Sequence, residues 1–350
     1  MHLLRRLFVS VTLTACACAL LPAQDRFAEL ARVAEQVRAE IGSPGLSIAL
    51  ELDGKLVWSN GFGLADMENQ IPARANTVYR IASISKTFGA TAVLQLVDAG
   101  KVSVDDAITK YVPGFRQQVT LRQIMTHTSG IRHYRGEPDN TVHFSSLADA
   151  ITIFRDDPLL FEPGTKVQYS SYAYNLLAGV IETASGRSLE EYLEKSIFAP
   201  ARLTETALDY NDRLIPNRAR FYQRKANGLQ NAPYVDNSIK WVGGGLLSSA
   251  EDLIRYSIAL DEGRLGSANA MNLMSAPGAL RDGTPLEYSL GWELWNEGGT
   301  HYVDKYGSGT GVSSYLLRIP AQHLALAVLV NVSAGNIKKY ARELAAAARR

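Results

Sequence analysis

Ser83-Ile84-Ser85-Lys86 sets a hydroxyl and an amine three residues apart at the head of an apolar run. On a helix that spacing stacks the two side chains on one face, one turn apart. An amine held beside a hydroxyl can accept or relay its proton, provided burial and nearby cations lower the lysine pKa. A helix start adds free N–H groups and a positive dipole end, which suit a developing oxyanion. With 26 serines and 11 lysines in the chain, one such pair arises by chance, so it needs partners to carry meaning. Tyr169-Ser170-Ser171 is the second group, after the turn Glu162-Pro163-Gly164 and before an apolar run. A tyrosine at the mouth of a helix can act as acid or base if cations lower its phenol pKa from about 10. Lys305-Tyr306-Gly307-Ser308-Gly309 supplies a cation followed by small residues, a pattern that lets a substrate approach a strand edge.

Elements at both ends of the chain must position these groups. Phe27, Leu30, Val33, Val37 and Ile41 recur at helical spacing within Asp25 to Ile41. Leu46 to Leu52 and Leu56 to Ser59 read as strands around the hairpin signal Asp53-Gly54. Ser83 to Ala99 reads as the clearest helix of a long, mostly helical middle region, which also holds a less periodic helix over Leu189 to Phe198. Tyr315 to Ile319 and Leu324 to Val332 read as closing strands, and Gly335 to Arg350 as a terminal helix. The expected fold is of the α/β class, α+β type. An antiparallel sheet from both chain termini is flanked by helices, with an inserted, mostly helical lobe.

The three groups, in this order, resemble the three motifs of the serine β-lactamase and penicillin-binding protein superfamily, in its class C-like branch. Ser83 to Lys86 matches S-x-x-K. Tyr169 to Ser171 stands for Y-x-N, and Lys305 to Gly307 for K-T-G or H-x-G. Thr126 to Ile131, Phe161 to Gly164 and Gly243 to Ser248 are similar to accessory segments of the branch. Stretches such as His127 to Tyr134 resemble the subgroup of the mitochondrial serine β-lactamase-like protein and its bacterial relatives. The resemblance implies a nucleophilic Ser83 assisted by Lys86, with Tyr169 as base and leaving-group acid. It implies that Lys305 supports the local positive potential and that the N–H groups of Ser83 and Ser308 form an oxyanion hole. Ser171, Tyr306, Gly307 and Ser308 would border the substrate, and His127 would be structural. Ser171 replaces the usual asparagine and Tyr306 the usual threonine or serine. The implied activity is therefore amide, peptide or ester hydrolysis through an acyl-enzyme, more than efficient β-lactam turnover. The competing reading is a penicillin-recognising fold that binds peptidoglycan or serves as a scaffold without turnover.

Met1 to Ala23 reads as an export signal, with Arg5 and Arg6 before the uncharged run Leu7 to Leu21 and cleavage after Ala23. The hydrolase domain would then span 24–350, exported to the periplasm or medium. Leu13-Thr14-Ala15-Cys16 also resembles a lipobox, so membrane attachment is expected only through a lipid on Cys16. Cys16 and Cys18 are the two cysteines, and cleavage leaves neither a disulfide nor a thiolate metal site. No metal or other cofactor is expected. The 36 basic and 35 acidic residues give no footprint for nucleic acid. A small peptide, amide, ester or β-lactam-like molecule is the expected partner; no pattern sets an oligomeric state.

Overall fold

A computed structural model describes residues 23–136 and 141–349. The expected export segment lies outside the described residues up to position 22, and Ala23 opens the first helix. That helix, α1 (Ala23–Ile41), buries Leu30, Ala34 and Val37 along one face. β1 (Gly45–Leu52) and β2 (Lys55–Asp66) follow. Asp53 and Gly54 turn between them with φ of 52° and 72°, the positive values that a tight hairpin needs. β2 runs well beyond Ser59. Its glycines let the chain at the short strand β3 (Ile71–Pro72) pack closely: a Cβ on Gly61 would lie 2.4 Å from the Ala73 backbone.

The last strands are β4 (Glu293–Glu297), β5 (Thr300–Gly309), β6 (Val312–Ile319) and β7 (Leu324–Val330). The sheet order is β3-β2-β1-β7-β6-β5-β4, with antiparallel neighbours throughout. Ile48 faces Val328 across the central pair, so both ends of the chain meet in the middle of the sheet. Alternation then divides the side chains. Leu46, Ile48, Leu50, Tyr315, Leu326 and Val328 pack beneath α1 and the final helix, which spans Ile337–Ala348. Ala49, Leu316, Ala327 and Leu329 face the helical lobe. Each fully buried large aliphatic side chain contributes about 1.5–3 kcal/mol, so this two-sided core is a rigid base for the lobe.

α2 (Ser85–Asp98) runs through the lobe with every side chain from Ser85 to Leu94 buried. Its polar members are satisfied locally: Thr87 donates to the Ile84 carbonyl and Thr91 pairs with the Tyr256 hydroxyl. α3 (Ser171–Ser185) packs beside it, capped by the Ser170 hydroxyl and stopped by Gly186 at φ 72°. The expected helix from Ser83 differs in its first turn. Ala82–Ile84 form a 3₁₀ turn and α2 begins at Ser85. Ala82 enters from a short strand at φ 44°, which an α-helix cannot continue. Leu189–Phe198 is likewise α-helical only to Leu193 and then widens into a π turn.

One buried carboxyl makes stability pH-dependent. Glu51 lies on the lobe side of β1, 1% exposed, and among the described residues neither oxygen has a hydrogen-bond partner in good geometry. Burial pushes its pKa from 4.5 up to about 7, with Ser257 and Arg318 opposing and Asp261 adding. Below pH 4.5 the folded and unfolded chains are both protonated at this position. Above it the unfolded chain ionises first, so stability falls by about 3 kcal/mol as pH rises to 7. Glu51→Gln removes that slope. Denaturant unfolding of both proteins at pH 5 and pH 8 measures it, and equal slopes would exclude Glu51 as the source.

Candidate active site

The cleft between sheet and lobe encloses about 710 Å³. Ser83, Tyr169, Ser171, Tyr306 and Ser308 line it. Ser83 stands on the turn before α2, and the Lys86 Nζ lies 3.1 Å from its Oγ. The Tyr169 hydroxyl reaches the same Oγ from the loop before α3 and donates at 2.5 Å. Lys305 comes from β5, with its amine 5.5 Å from the centre of the Tyr169 ring. Three segments distant in sequence thus converge on one oxygen and its surroundings. Gly307 makes the approach of β5 possible: a Cβ there would lie 2.3 Å from the Ile81 carbonyl and 3.1 Å from the Ser83 nitrogen. Ser308 is exposed at the cleft edge. Tyr306 borders the cleft while its ring packs partly on the cluster beneath the terminal helices.

Lys86 is fully buried. It also contacts the Ser171 Oγ at 2.9 Å and the Gly243 carbonyl at 2.5 Å. Burial pushes its amine well below the ordinary lysine range; Lys305 lowers it further, while Glu293 opposes. A neutral amine offers two N–H donors and one lone pair. Gly243 and Ser171 take the donors, which leaves the lone pair for the Ser83 hydroxyl.

Tyr169 corrects an expectation. Its phenol is raised, not lowered, because burial disfavors phenolate more than its surroundings stabilise it. The Ser83 and Ser171 hydroxyls offset part of this, and Glu293 adds to it. Lys305 is not a bare cation: it donates to Glu293 at 3.1 Å. Burial thus favours the neutral form of both the phenol and the neighbouring amine.

His127 has the structural surroundings expected of it. It is buried, with φ of 60°, and its Nδ1 accepts from the Ser170 N–H at 3.3 Å. Its ring packs 4.3 Å from the Tyr169 ring, centre to centre. Burial, then Lys305 and Lys86, hold its pKa far below the usual histidine value. Three contributors were not among the candidate site residues, although His133 and Gly243 lie in segments similar to those of the family. Glu293 meets Lys305 from the next strand. His133 Nδ1 accepts the Ser171 N–H at 3.2 Å, and the Gly243 carbonyl receives the Lys86 amine. The triple glycine at 243–245 hints at the last: a Cβ on Gly243 would lie 2.1 Å from the Asn175 Oδ1.

Comparison with known proteins gives the family and the fold. The model of the family described as Beta-lactamase matches residues 30–349. The chain belongs to the Beta-lactamase family. Within the family it is 30% identical to the mitochondrial serine beta-lactamase-like protein LACTB of Bos taurus, over 82% of this chain and 70% of that one. It superposes on the octameric penicillin-binding protein homologue from Pyrococcus abyssi with a TM-score of 0.80. That match has 28% identity and covers 91% of this chain and 76% of the other. A D-stereospecific amidohydrolase from Streptomyces sp. matches with a TM-score of 0.76 and 25% identity, over 89% and 96% of the two chains. The Beta-lactamase family fold and these neighbours support serine hydrolase activity in general.

Two charge substitutions test which group titrates. Acylation is expected to rise with pH as Lys86 loses its proton, on a limb below the ordinary lysine range. Lys305→Gln removes a cation that lowers Lys86, so the limb moves to higher pH. Glu293→Gln removes an anion that raises it, so the limb moves to lower pH. The pH dependence of kcat/KM for the three proteins measures both shifts. Movement in a common direction would exclude Lys86 as the titrating base.

Proposed function

We propose that this protein is a serine hydrolase of the class C-like type that cleaves a small amide, peptide or ester through an acyl-enzyme on Ser83. The observation that carries the reading is the Ser83 Oγ, 3.1 Å from a buried Lys86 amine and 2.5 Å from the Tyr169 hydroxyl, on the floor of an open cleft. As Ser83 attacks the acyl carbon, Lys86 takes the hydroxyl proton as general base. The Ser83 and Ser308 N–H groups receive the oxyanion, a role that the close seating of Gly307 supports. Tyr169, protonated at rest, gives its proton to the leaving group. Water then releases the acyl group by the reverse route. Relative to the roles first expected, the base passes from Tyr169 to Lys86, while Tyr169 keeps its part as leaving-group acid.

A D-amino-acid derivative is the first substrate class to try, in keeping with the D-stereospecific amidohydrolase among the structural neighbours. The sequence of Met1 to Ala23 supports export to the periplasm or medium, with lipid attachment at Cys16 as the alternative. Intact-mass spectrometry after brief incubation with D- and L-amino-acid amides and esters, small peptides and penicillin tests the reading. A mass increment of the acyl group should appear and map to Ser83. Turnover without an adduct, even after rapid acid quench, and with equal rates in Ser83→Ala, would overturn it.

A further inference from the structure

Ser171 stands where the second motif usually carries asparagine, and its surroundings differ from those of a substrate-holding amide. It is buried as the first residue of α3, and its backbone N–H donates to His133. Its Oγ lies 2.9 Å from the Lys86 Nζ, and its hydroxyl is near enough to the Tyr169 phenol to favour the phenolate. With Lys86 to Ser83 at 3.1 Å and Tyr169 to Ser83 at 2.5 Å, the four side chains form one cluster. When Lys86 is neutral, its lone pair can accept from Ser83 while an N–H donates to Ser171.

We propose that the Ser171 hydroxyl is the relay that returns the proton from Lys86 to Tyr169 while the leaving group departs. The proposal rests on the acyl-transfer reading of Ser83. On attack, the Ser83 oxygen bonds to the acyl carbon and its proton moves to Lys86. The tetrahedral intermediate then collapses, the bond from carbon to leaving nitrogen breaks, and Tyr169 protonates that nitrogen. Ser171 gives its hydroxyl proton to the phenolate and takes one from the Lys86 ammonium. The net transfer is one proton from Ser83 to the leaving amine, with Lys86, Ser171 and Tyr169 restored.

The acylated serine makes the second route necessary. Once its Oγ is an ester oxygen it holds no proton and cannot pass one from Lys86 to Tyr169. The hydrogen bonds described for Lys86 reach Ser83, Ser171 and Gly243; its distance to the Tyr169 ring centre is 4.8 Å. Of these three, the Gly243 carbonyl has no proton to give, so Ser171 is the group that joins base to acid. An asparagine amide could hold both neighbours but would not exchange a proton with them.

The test compares Ser171→Ala, Ser171→Asn and Ser171→Thr on a matched pair of substrates. One is an unactivated amide of an amino acid accepted by the wild type, whose amine must be protonated to leave. The other is the p-nitrophenyl ester of the same acid, whose leaving group departs as an anion. The Ala and Asn variants should lose about a hundredfold in kcat/KM on the amide, a typical magnitude for general acid–base catalysis. On the ester their loss should be about tenfold or more smaller than on the amide, and Ser171→Thr, which keeps the hydroxyl, should recover most amide activity. The ester is also the folding control. Equal losses on both substrates would reduce Ser171 to a positioning residue, and an undiminished amide rate would remove it altogether. If Ser83→Ala hydrolyses both substrates like wild type, the acyl-enzyme reading fails instead, which separates the two outcomes.

Discussion

Lys86→Met should lower the rate of acylation by about a thousandfold or more, within the span expected for loss of a positioned general base. Methionine keeps the length and apolar stem of the side chain and removes only the amine. The amine is fully buried, so its loss relieves a burial penalty. The lost bonds to Ser171 and the Gly243 carbonyl act the other way. These opposing effects leave the fold intact, which thermal melting can verify beside the kinetics. Lys86→Arg completes the experiment. Guanidinium keeps the charge and the donors, yet it does not deprotonate in proteins and has no lone pair for Ser83. Both variants should therefore be slow. Recovery by arginine would mean that Lys86 acts through its charge, and the assignment of the base would pass back to Tyr169.

The second large effect lies on β5, at a residue with no functional group. Gly307→Ala should reduce kcat/KM about a hundredfold or more, the scale seen when an oxyanion donor is lost, and destabilise the fold by about 1–3 kcal/mol through overpacking. The added Cβ would meet the Ile81 carbonyl at 2.3 Å, with the Ser314 hydroxyl equally crowded and the Ser83 nitrogen 3.1 Å away. Ile81 and Ser83 cannot yield independently, because Ala82 between them is already in a left-handed conformation at φ 44°. The strand or the nucleophile turn must shift, and either displaces the N–H groups around the oxyanion. Gly309→Ala is the control two residues along the same strand. Its Cβ would make ordinary contacts at 3.6 and 3.9 Å. Activity should survive there, measured with the same ester and amide. Equal effects at the two glycines would show that strand flexibility, rather than close approach to Ser83, is what β5 supplies.

Several elements were legible because their signals are local. The Leu30, Val37 and Ile41 spacing marks α1, and Asp53-Gly54 marks its hairpin. The apolar closing strands are found from Val312 to Ile319 and from Leu324 to Val330. β4 and β5 were not read as strands. Trp295, His301, Asp304 and the glycines of β5 make a mixed run without clean alternation, and pairing with β6 supplies the order that composition lacks. The 3₁₀ turn at Ser83 was hidden for a similar reason. Its geometry comes from the strand that enters it and from the crowding of Gly307 behind it.

The sequence by itself determined that Ser83 and Lys86 share one helical turn, and it marked Tyr169 and Lys305 as candidates to join them. Local spacing is enough for the first, because three residues along a helical turn bring the side chains together whatever surrounds them. Only the tertiary structure decided what those groups are chemically. Burial lowers the Lys86 pKa and raises that of Tyr169, and neither shift is encoded in the residue type. Glu293 reaches Lys305 by strand pairing, twelve residues away along the chain. Ser171, which looked like a lost substrate contact, became a link between base and acid because α3 begins beside the Lys86 amine. Protonation states depend on the whole enclosure around a group, and the enclosure exists only when distant segments have packed.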